Sequence, residues 1–194
     1  MDPINKIIED RQSARDRDDA NANVCFLALS ENNRPSARTL VLRDISDTGF
    51  TLFINKTSEK WRTLKENNRA ELLLWFASVQ RQYRVRGHIE ELDRTSIASN
   101  WPRRPASSKY LDYAYSLYKR QSGQIESHAA LKQHITTLKK RQPEESLTTP
   151  EAATGIALVP DEIEVLDLND PDRIHDRKLF FRDKNSWNVT QLMP

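Results

Sequence analysis

The chain has 194 residues, enough for one domain with a full hydrophobic core, and its 30 Lys and Arg against 28 Asp and Glu leave a formal net charge of +2. No block of one sign stands out, so the composition does not call for nucleic acid, and no run approaches the ~18 apolar residues of a membrane span. The single cysteine, Cys25, has no disulfide or CxxC partner and sits in an apolar run, so a buried thiol and a reducing, cytoplasmic setting are expected.

Residues 1–20 form an expected N-terminal helix or arm: Ile4, Ile7 and Ile8 fall at helical spacing, the end is strongly polar, and the apolar core of a signal peptide is lacking. From Asn23 the pattern turns to strands. VCFLALS, then SARTLVLRDI after an Asn-Asn-Arg-Pro turn, then FTLFIN after Asp-Thr-Gly read as successive antiparallel strands. Thr57 or Ser58 is placed to cap a helix running to Asn67, and RAELLLWFA and RQYRVRGHIEEL read as two further strands. In the second, Tyr83, Val85, Gly87 and Ile89 share one face, and Gln82, Arg84, Arg86 and His88 the other. Residues 93–142 are helical in tone, with Pro105 at a helix start and a break at QSG, and read as a cover over a barrel. After a polar connection, GIALVP, EIEVLDL, HDRKLFFRD and WNVTQL read as closing strands. Strands at both ends with helices between them give a single α+β domain over 1–194 with a barrel or strongly bent antiparallel sheet.

None of the four glycines falls in GxGxxG or GxxxxGK[ST], so any phosphate must be gripped by side chains or by a helix N-terminus. Arg38 shares a strand face with Leu40 and Leu42, and Lys60 lies in the opening turn of a helix beside Ser58; each alone reads first as a partly solvated charge and second as a ligand. If extended, Arg173-Ile174-His175-Asp176-Arg177 puts three cationic or protonatable groups on one face, which calls for a facing anion or for ion pairs along a solvated edge. Arg103-Arg104-Pro105 with Ser107 and Ser108 reads either as an anion site at a helix start or as ordinary capping. His128 and His134 read as surface histidines, and the four tryptophans as core or interface anchors.

From about Asn23 onward these clusters occur in an order that resembles the pyridoxamine 5'-phosphate oxidase family. The matches are SARTLVLRD, FINKTSEK, KENNRAELLLWF, RQYRVRG, RRPASS, KRQSGQI, RIHDR and the terminal WNVTQLMP. The resemblance implies a six-stranded antiparallel split β-barrel with covering helices, working as a homodimer with FMN between the subunits. It implies that Arg38, Lys60 and Ser58 bind the FMN phosphate, that the backbone of Thr39, Leu40, Val41 and Leu42 runs beside the flavin, and that Gln82 and Arg177 contact it. Gln121 and Ser122 match contacts made from the other subunit. Arg104 and Ser108, with Arg43 and Asn100, match the site for the substrate phosphate, and Arg173 and His175 match the residues over the substrate ring.

Some positions depart from the family pattern. Arg43 stands for the usual lysine, Asn100 for tyrosine, Glu59 for arginine, Leu166 for tryptophan and Gln191 for arginine. Asn100 shortens a phosphate ligand, Leu166 removes an aromatic wall, and Arg43 keeps charge but changes geometry. The resemblance therefore implies an FMN-dependent oxidase acting on pyridoxamine or pyridoxine 5'-phosphate, with hydride passing to the flavin and dioxygen yielding hydrogen peroxide. The alternatives are a relative oxidising another ring, as in phenazine biosynthesis, and a non-catalytic FMN- or pyridoxal-phosphate-binding protein.

Overall fold

The computed structural model describes residues 2–118, 120–184 and 186–194, with the side chains of Ser116 and Leu117 left out; Lys119 of the KRQSGQI match lies outside the described residues. In chain order the elements are α1 (Pro3–Asp16), β1 (Val24–Glu31), β2 (Arg34–Val41), β3 (Asp44–Ser46), β4 (Gly49–Asn55), α2 (Glu59–Glu66), β5 (Arg69–Phe76), β6 (Arg81–Glu91), α3 (Arg94–Asn100), α4 (Ala106–Leu117), α5 (His128–Arg141), β7 (Ala153–Asp167), β8 (Asp176–Asp183) and β9 (Ser186–Leu192). They fall into two compact units. The first holds Met1–Leu52, Glu66–Glu90 and Ala157–Pro194, and the second Phe53–Lys65 and Glu91–Ile156.

The first unit is built on a sheet of order β2-β1-β5-β6-β7-β4-β3, with β8 paired to β7 and β9 to β8. The pairs β1–β2, β1–β5, β3–β4, β5–β6, β7–β8 and β8–β9 are antiparallel. Register sets Leu27 opposite Leu72 and Leu72 opposite Val85, a row of buried side chains across three strands. The alternation expected on β6 holds: Tyr83, Val85, Gly87 and Ile89 are buried while Gln82, Arg84, Arg86 and His88 are half-exposed. The expected count of six strands is exceeded, because nine form among the described residues. The three-residue β3 was not foreseen, whereas β8 and β9 are the closing strands expected from HDRKLFFRD and WNVTQL. A second correction concerns GIALVP and EIEVLDL, which form one continuous strand, β7, through Pro160. Gly87 permits this, since a Cβ there would stand 1.9 Å from the Val159 carbonyl oxygen.

α1 starts where Asp2 accepts the Ile4 amide at 2.8 Å and Pro3 takes the first turn, where its missing N–H costs nothing. Its buried stripe is Ile4, Ile7, Asp10, Arg11 and Ala14, the helical repeat of an apolar face with two charges set in it. Asp10 accepts hydrogen bonds from Arg81 at 2.8 Å and from the Tyr83 hydroxyl, and pairs with Lys6 at 3.0 Å; Arg81 also pairs with Asp167. Burial alone raises the Asp10 pKa, but the donors of Tyr83, Arg81 and Lys6 outweigh it and hold the carboxyl below its ordinary range. Arg11 donates to the carbonyls of Ala22 at 2.9 Å and Leu42 at 2.5 Å, and burial lowers it to about 10.

The second unit packs α4 and α5 around Trp101, Tyr110, Leu147 and Ala153, with Tyr113, Ile135 and Leu138 against them. Trp101 donates its indole N–H to the Leu147 carbonyl at 2.8 Å, and Tyr110 its hydroxyl to that of Gln142 at 2.9 Å. Pro105 caps α4 from outside and is not its first helical residue, and neither Ser107 nor Ser108 makes a side-chain cap. His134 is half-buried, its ring edge-on to Tyr118 at 5.9 Å.

Two measurements check this account. Gly87→Ala is expected to destabilise by about 3 kcal/mol or more in urea unfolding, because backbone must move to admit the methyl. Asp10→Asn is expected to cost about 3 kcal/mol at neutral pH. With its folded pKa depressed, Asp10 contributes fully above its unfolded value of about 4 and loses that contribution as pH falls through the folded value. The gap between wild type and Asp10→Asn should therefore close in acid. A gap constant down to about pH 2 would show that the network has no ionic share.

Candidate active site

In the first unit, β2 ends the sheet order and carries Arg38 and the expected flavin-side backbone. Arg38 and Leu40 are half-exposed, Thr39 is exposed, Val41 is 61% exposed, and Leu42 and Arg43 continue the chain with amides bonded to the carbonyls of Asn23 and Thr51. Arg38 holds Ser36 through the hydroxyl at 3.0 Å and the carbonyl at 3.3 Å.

The outer face of β5, β6, β7 and β8 bears a carboxylate–guanidinium ladder. Glu71 accepts from Arg84 and Arg86, each at 2.7 Å; Arg86 reaches Glu162 at 3.1 Å; Arg84 reaches Glu164 at 3.5 Å. Arg177 closes the ladder with both Nε and Nη2 at 3.1 Å from Glu164, whose side chain is only 6% exposed. Burial raises the Glu71 pKa, but hydrogen bonds from Arg84 and Arg86 prevail and keep it below the usual range. Gln82 lies on the same strand face as Arg84 and Arg86, so the two expected flavin contacts, Gln82 and Arg177, share one face of the sheet.

Arg173 and His175 are not on that strand, which corrects the extended row drawn from RIHDR. The Asp170 carboxylate accepts the amides of Asp172 at 2.9 Å and Ile174 at 3.3 Å, and its carbonyl accepts that of Arg173 at 3.2 Å. This turn puts Arg173 at φ +62°, in the left-handed region, and β8 starts only at Asp176. The row is thus broken by geometry, and of the three residues Arg177 is the one paired with a carboxylate among the described residues. Arg173 is exposed; His175 is half-buried, and its Nδ1 has no hydrogen-bond partner among the described residues.

In the second unit, Ser58 is buried at the start of α2, where its hydroxyl and carbonyl accept the Trp61 amide at 3.4 and 3.2 Å. Lys60 donates to Gln121 Oε1 at 3.3 Å, and the Gln121 amide donates to Thr57 Oγ1 at 2.9 Å. Ser122 follows, exposed, at φ +63°. Lys60 and Gln121 of one chain thus stand together at a helix N-terminus. Glu59, which departs from the family pattern, turns outward with a side chain 57% exposed and pairs with Arg62 at 3.8 Å, so its charge does not oppose an anion there. Lysine, amide and hydroxyl donors at the positive end of α2 fit a phosphate.

Arg104 stands between the Trp101 ring, 5.4 Å from its guanidinium carbon, and Asp112, whose Oδ2 is 2.7 Å away. Asp112 Oδ1 accepts from Asn55 at 3.1 Å, and Asn55 Oδ1 accepts the Thr57 amide and hydroxyl at 2.9 and 2.6 Å. Burial raises the Asp112 pKa against the pull of Arg104 and Asn55. Ser108 is half-buried in the opening turn of α4. Asn100 is spent on its own helix, donating to the Ser96 carbonyl at 2.9 Å.

Two carboxylates central to this geometry, Glu164 and Asp112, were not singled out from the sequence. Their signals were the paired R-x-R and E-x-E spacing at 84/86 and 162/164, and an aspartate inside the aromatic run YLDYAY. A cavity of about 140 Å³ lined by Lys6, Arg81, Asp167 and Lys178, among others, contains none of the expected site residues.

The chain matches a pyridoxamine 5'-phosphate oxidase family profile over residues 18–142. It is 34% identical over 166 residues to a pyridoxine/pyridoxamine 5'-phosphate oxidase of Acinetobacter baumannii, covering 85% of this chain and 74% of that one. A putative pyridoxamine 5'-phosphate oxidase of Caenorhabditis elegans is 32% identical over 171 residues, covering 88% and 75%. Among solved structures, PhzG of Burkholderia lata in complex with tetrahydrophenazine-1-carboxylic acid superposes with a TM-score of 0.89 at 26% identity, covering 100% of this chain and 93% of that one. A related FMN-binding protein of Nostoc punctiforme shares the fold, with a TM-score of 0.78 at 18% identity over 100% and 99% of the chains. The chain therefore belongs to the pyridoxamine 5'-phosphate oxidase family of FMN-dependent oxidoreductases.

Proposed function

We propose that the chain is an FMN-dependent oxidase of the pyridoxamine/pyridoxine 5'-phosphate oxidase type, a cytoplasmic homodimer of one split-barrel domain over 1–194, acting on an anionic ring compound. The observation that carries this reading is Lys60 with the buried Ser58 at the start of α2, with Glu59 turned away. Arg38, Ser58 and Lys60 hold the FMN phosphate, and Gln121 and Ser122 contact the flavin from the other subunit of the dimer. The backbone from Thr39 to Leu42, with Gln82 and Arg177, lies along the ring. Bound FMN supplies a two-electron acceptor that dioxygen regenerates, with release of hydrogen peroxide. Arg43, Arg104 and Ser108 anchor the substrate anion, and Arg173 and His175 orient its ring, which converts binding into alignment. The dimer gains support from Val41, Ile174 and Val189, apolar side chains 55 to 71% exposed on β2 and near the C-terminal hairpin.

A second substrate reading, a ring without a phosphate, is favoured by the likeness to PhzG, whose structure holds a ring carboxylic acid. Asn100 and Leu166 support it by weakening the clamp and the wall that vitamin B6 phosphates need.

The purified protein is expected to release FMN and not FAD by mass spectrometry, and Arg38→Ala with Lys60→Ala to weaken its retention by about 3 kcal/mol. Released FAD, or unchanged affinity in the double variant, refutes the phosphate site. Pyridoxine 5'-phosphate is expected to turn over at well below about 1 per second, and Asn100→Tyr and Leu166→Trp to raise that rate, with aldehyde and peroxide followed together. Ordinary rates in wild type would show the departures to be neutral, and a flavin that no ring substrate reduces anaerobically would make the protein a binder.

A further inference from the structure

Arg104 is the residue on which the proposed function hangs the substrate anion, yet its guanidinium already has a carboxylate at 2.7 Å. That carboxylate, on Asp112, is 3% exposed, whereas the Arg104 side chain is 16% exposed. Asp112 cannot swing aside when an anion arrives. Its second oxygen is held by Asn55, itself buried, and Asn55 is pinned by the amide and hydroxyl of Thr57. Nor does the next cation on α4 restore a surplus of charge, because Lys109 is buried and paired with Glu144 at 2.9 Å. Arg104 therefore offers an anion only the N–H donors not turned to Asp112, on a pair that together carries no net charge. An incoming anion meets good hydrogen-bond geometry and, a few ångströms behind it, an opposing charge. The second negative charge of a phosphate at neutral pH gains hydrogen-bond strength but meets the full repulsion of Asp112, while a carboxylate carries one charge and matches the bidentate edge of a guanidinium.

We propose that Asp112 is a specificity-determining residue, whose fixed pairing with Arg104 sets the substrate site to take a ring carboxylate in preference to a ring phosphate. This rests on the reading of Arg104 as the substrate-anion ligand. Asp112 touches no substrate; it acts through Arg104, and its effect is on which anion binds, more than on how tightly anions bind in general.

The test is isothermal titration of the FMN-loaded protein at pH 7.5 with benzoate and with phenyl phosphate, two ligands that differ in the anion on one ring. Wild type is expected to bind benzoate at least as tightly as phenyl phosphate. Asp112→Asn should shift the ratio of affinities toward phenyl phosphate by about ten-fold or more, the effect of removing one charge at this range near a protein surface. Asp112→Glu, which keeps the charge, should leave the preference for benzoate. A merely structural role for Asp112 moves both affinities together and overturns the proposal. So does a wild type that prefers phenyl phosphate ten-fold, a result that needs no variant to fold. Arg104→Ala separates the two levels. If it leaves both affinities unchanged, Arg104 is not the anion ligand, and the site reading falls together with the role of Asp112. If it abolishes both while Asp112→Asn changes no ratio, the site stands and only the role of Asp112 fails.

Discussion

The passage of β7 between β6 and β4 is the constraint on which the first unit depends. At its midpoint the carbonyls of Leu158 and Val159 come so close to the neighbouring strands that a Cβ at Gly49 would sit 2.6 Å, and one at Gly87 1.9 Å, from a carbonyl oxygen. Two of only four glycines in the chain are used there. Because the backbone runs on through Pro160 without a break, the residues just beyond it, Glu162 and Glu164, arrive in phase with Arg84 and Arg86 on β6 and with Arg177 on β8. A one-residue slip would turn both carboxylates to the opposite face and take from Arg177 the carboxylate it faces.

A common electrostatic pattern recurs in the two units. Arg177 has Glu164 behind it and Arg104 has Asp112, and in both cases the carboxylate is nearly buried while the arginine side chain is the more exposed of the two. Buried carboxylates of this kind are costly to desolvate and add little net stability, but they fix the direction of the cation they hold. Arginine suits the role because its planar fork can satisfy a partner on one edge and offer donors on another.

Much of the architecture was legible in the sequence because two-residue alternation is a local property. The faces of β6, the helix from Pro3, the hairpin of β8 and β9 and the break between α4 and α5 all follow from near neighbours. The strand through Pro160 did not, since a proline in a strand reads as its end, and only a glycine some seventy residues away, Gly87, explains its tolerance. The row drawn through Arg173, His175 and Arg177 failed for a local reason that was available: Asp170 lies three residues before Arg173 and bonds the backbone into a turn. Within the site, cationic residues were recognisable from motif order, but their partners were not. Asp112 and Glu164 become meaningful only when the fold brings residues eight and thirteen positions distant to within 3.1 Å.

Cys25 carries a consequence of another kind. Burial pushes its thiol up to about 12, so at neutral pH it is protonated and shut away from solvent. The thiolate is the form that attacks peroxide and is oxidised by it. An oxidase of the proposed type meets that by-product at every turnover, and the described residues offer it no exposed thiol. Among the described residues the exposed sulfur is that of Met193, 86% accessible, where conversion to the sulfoxide disturbs no packing.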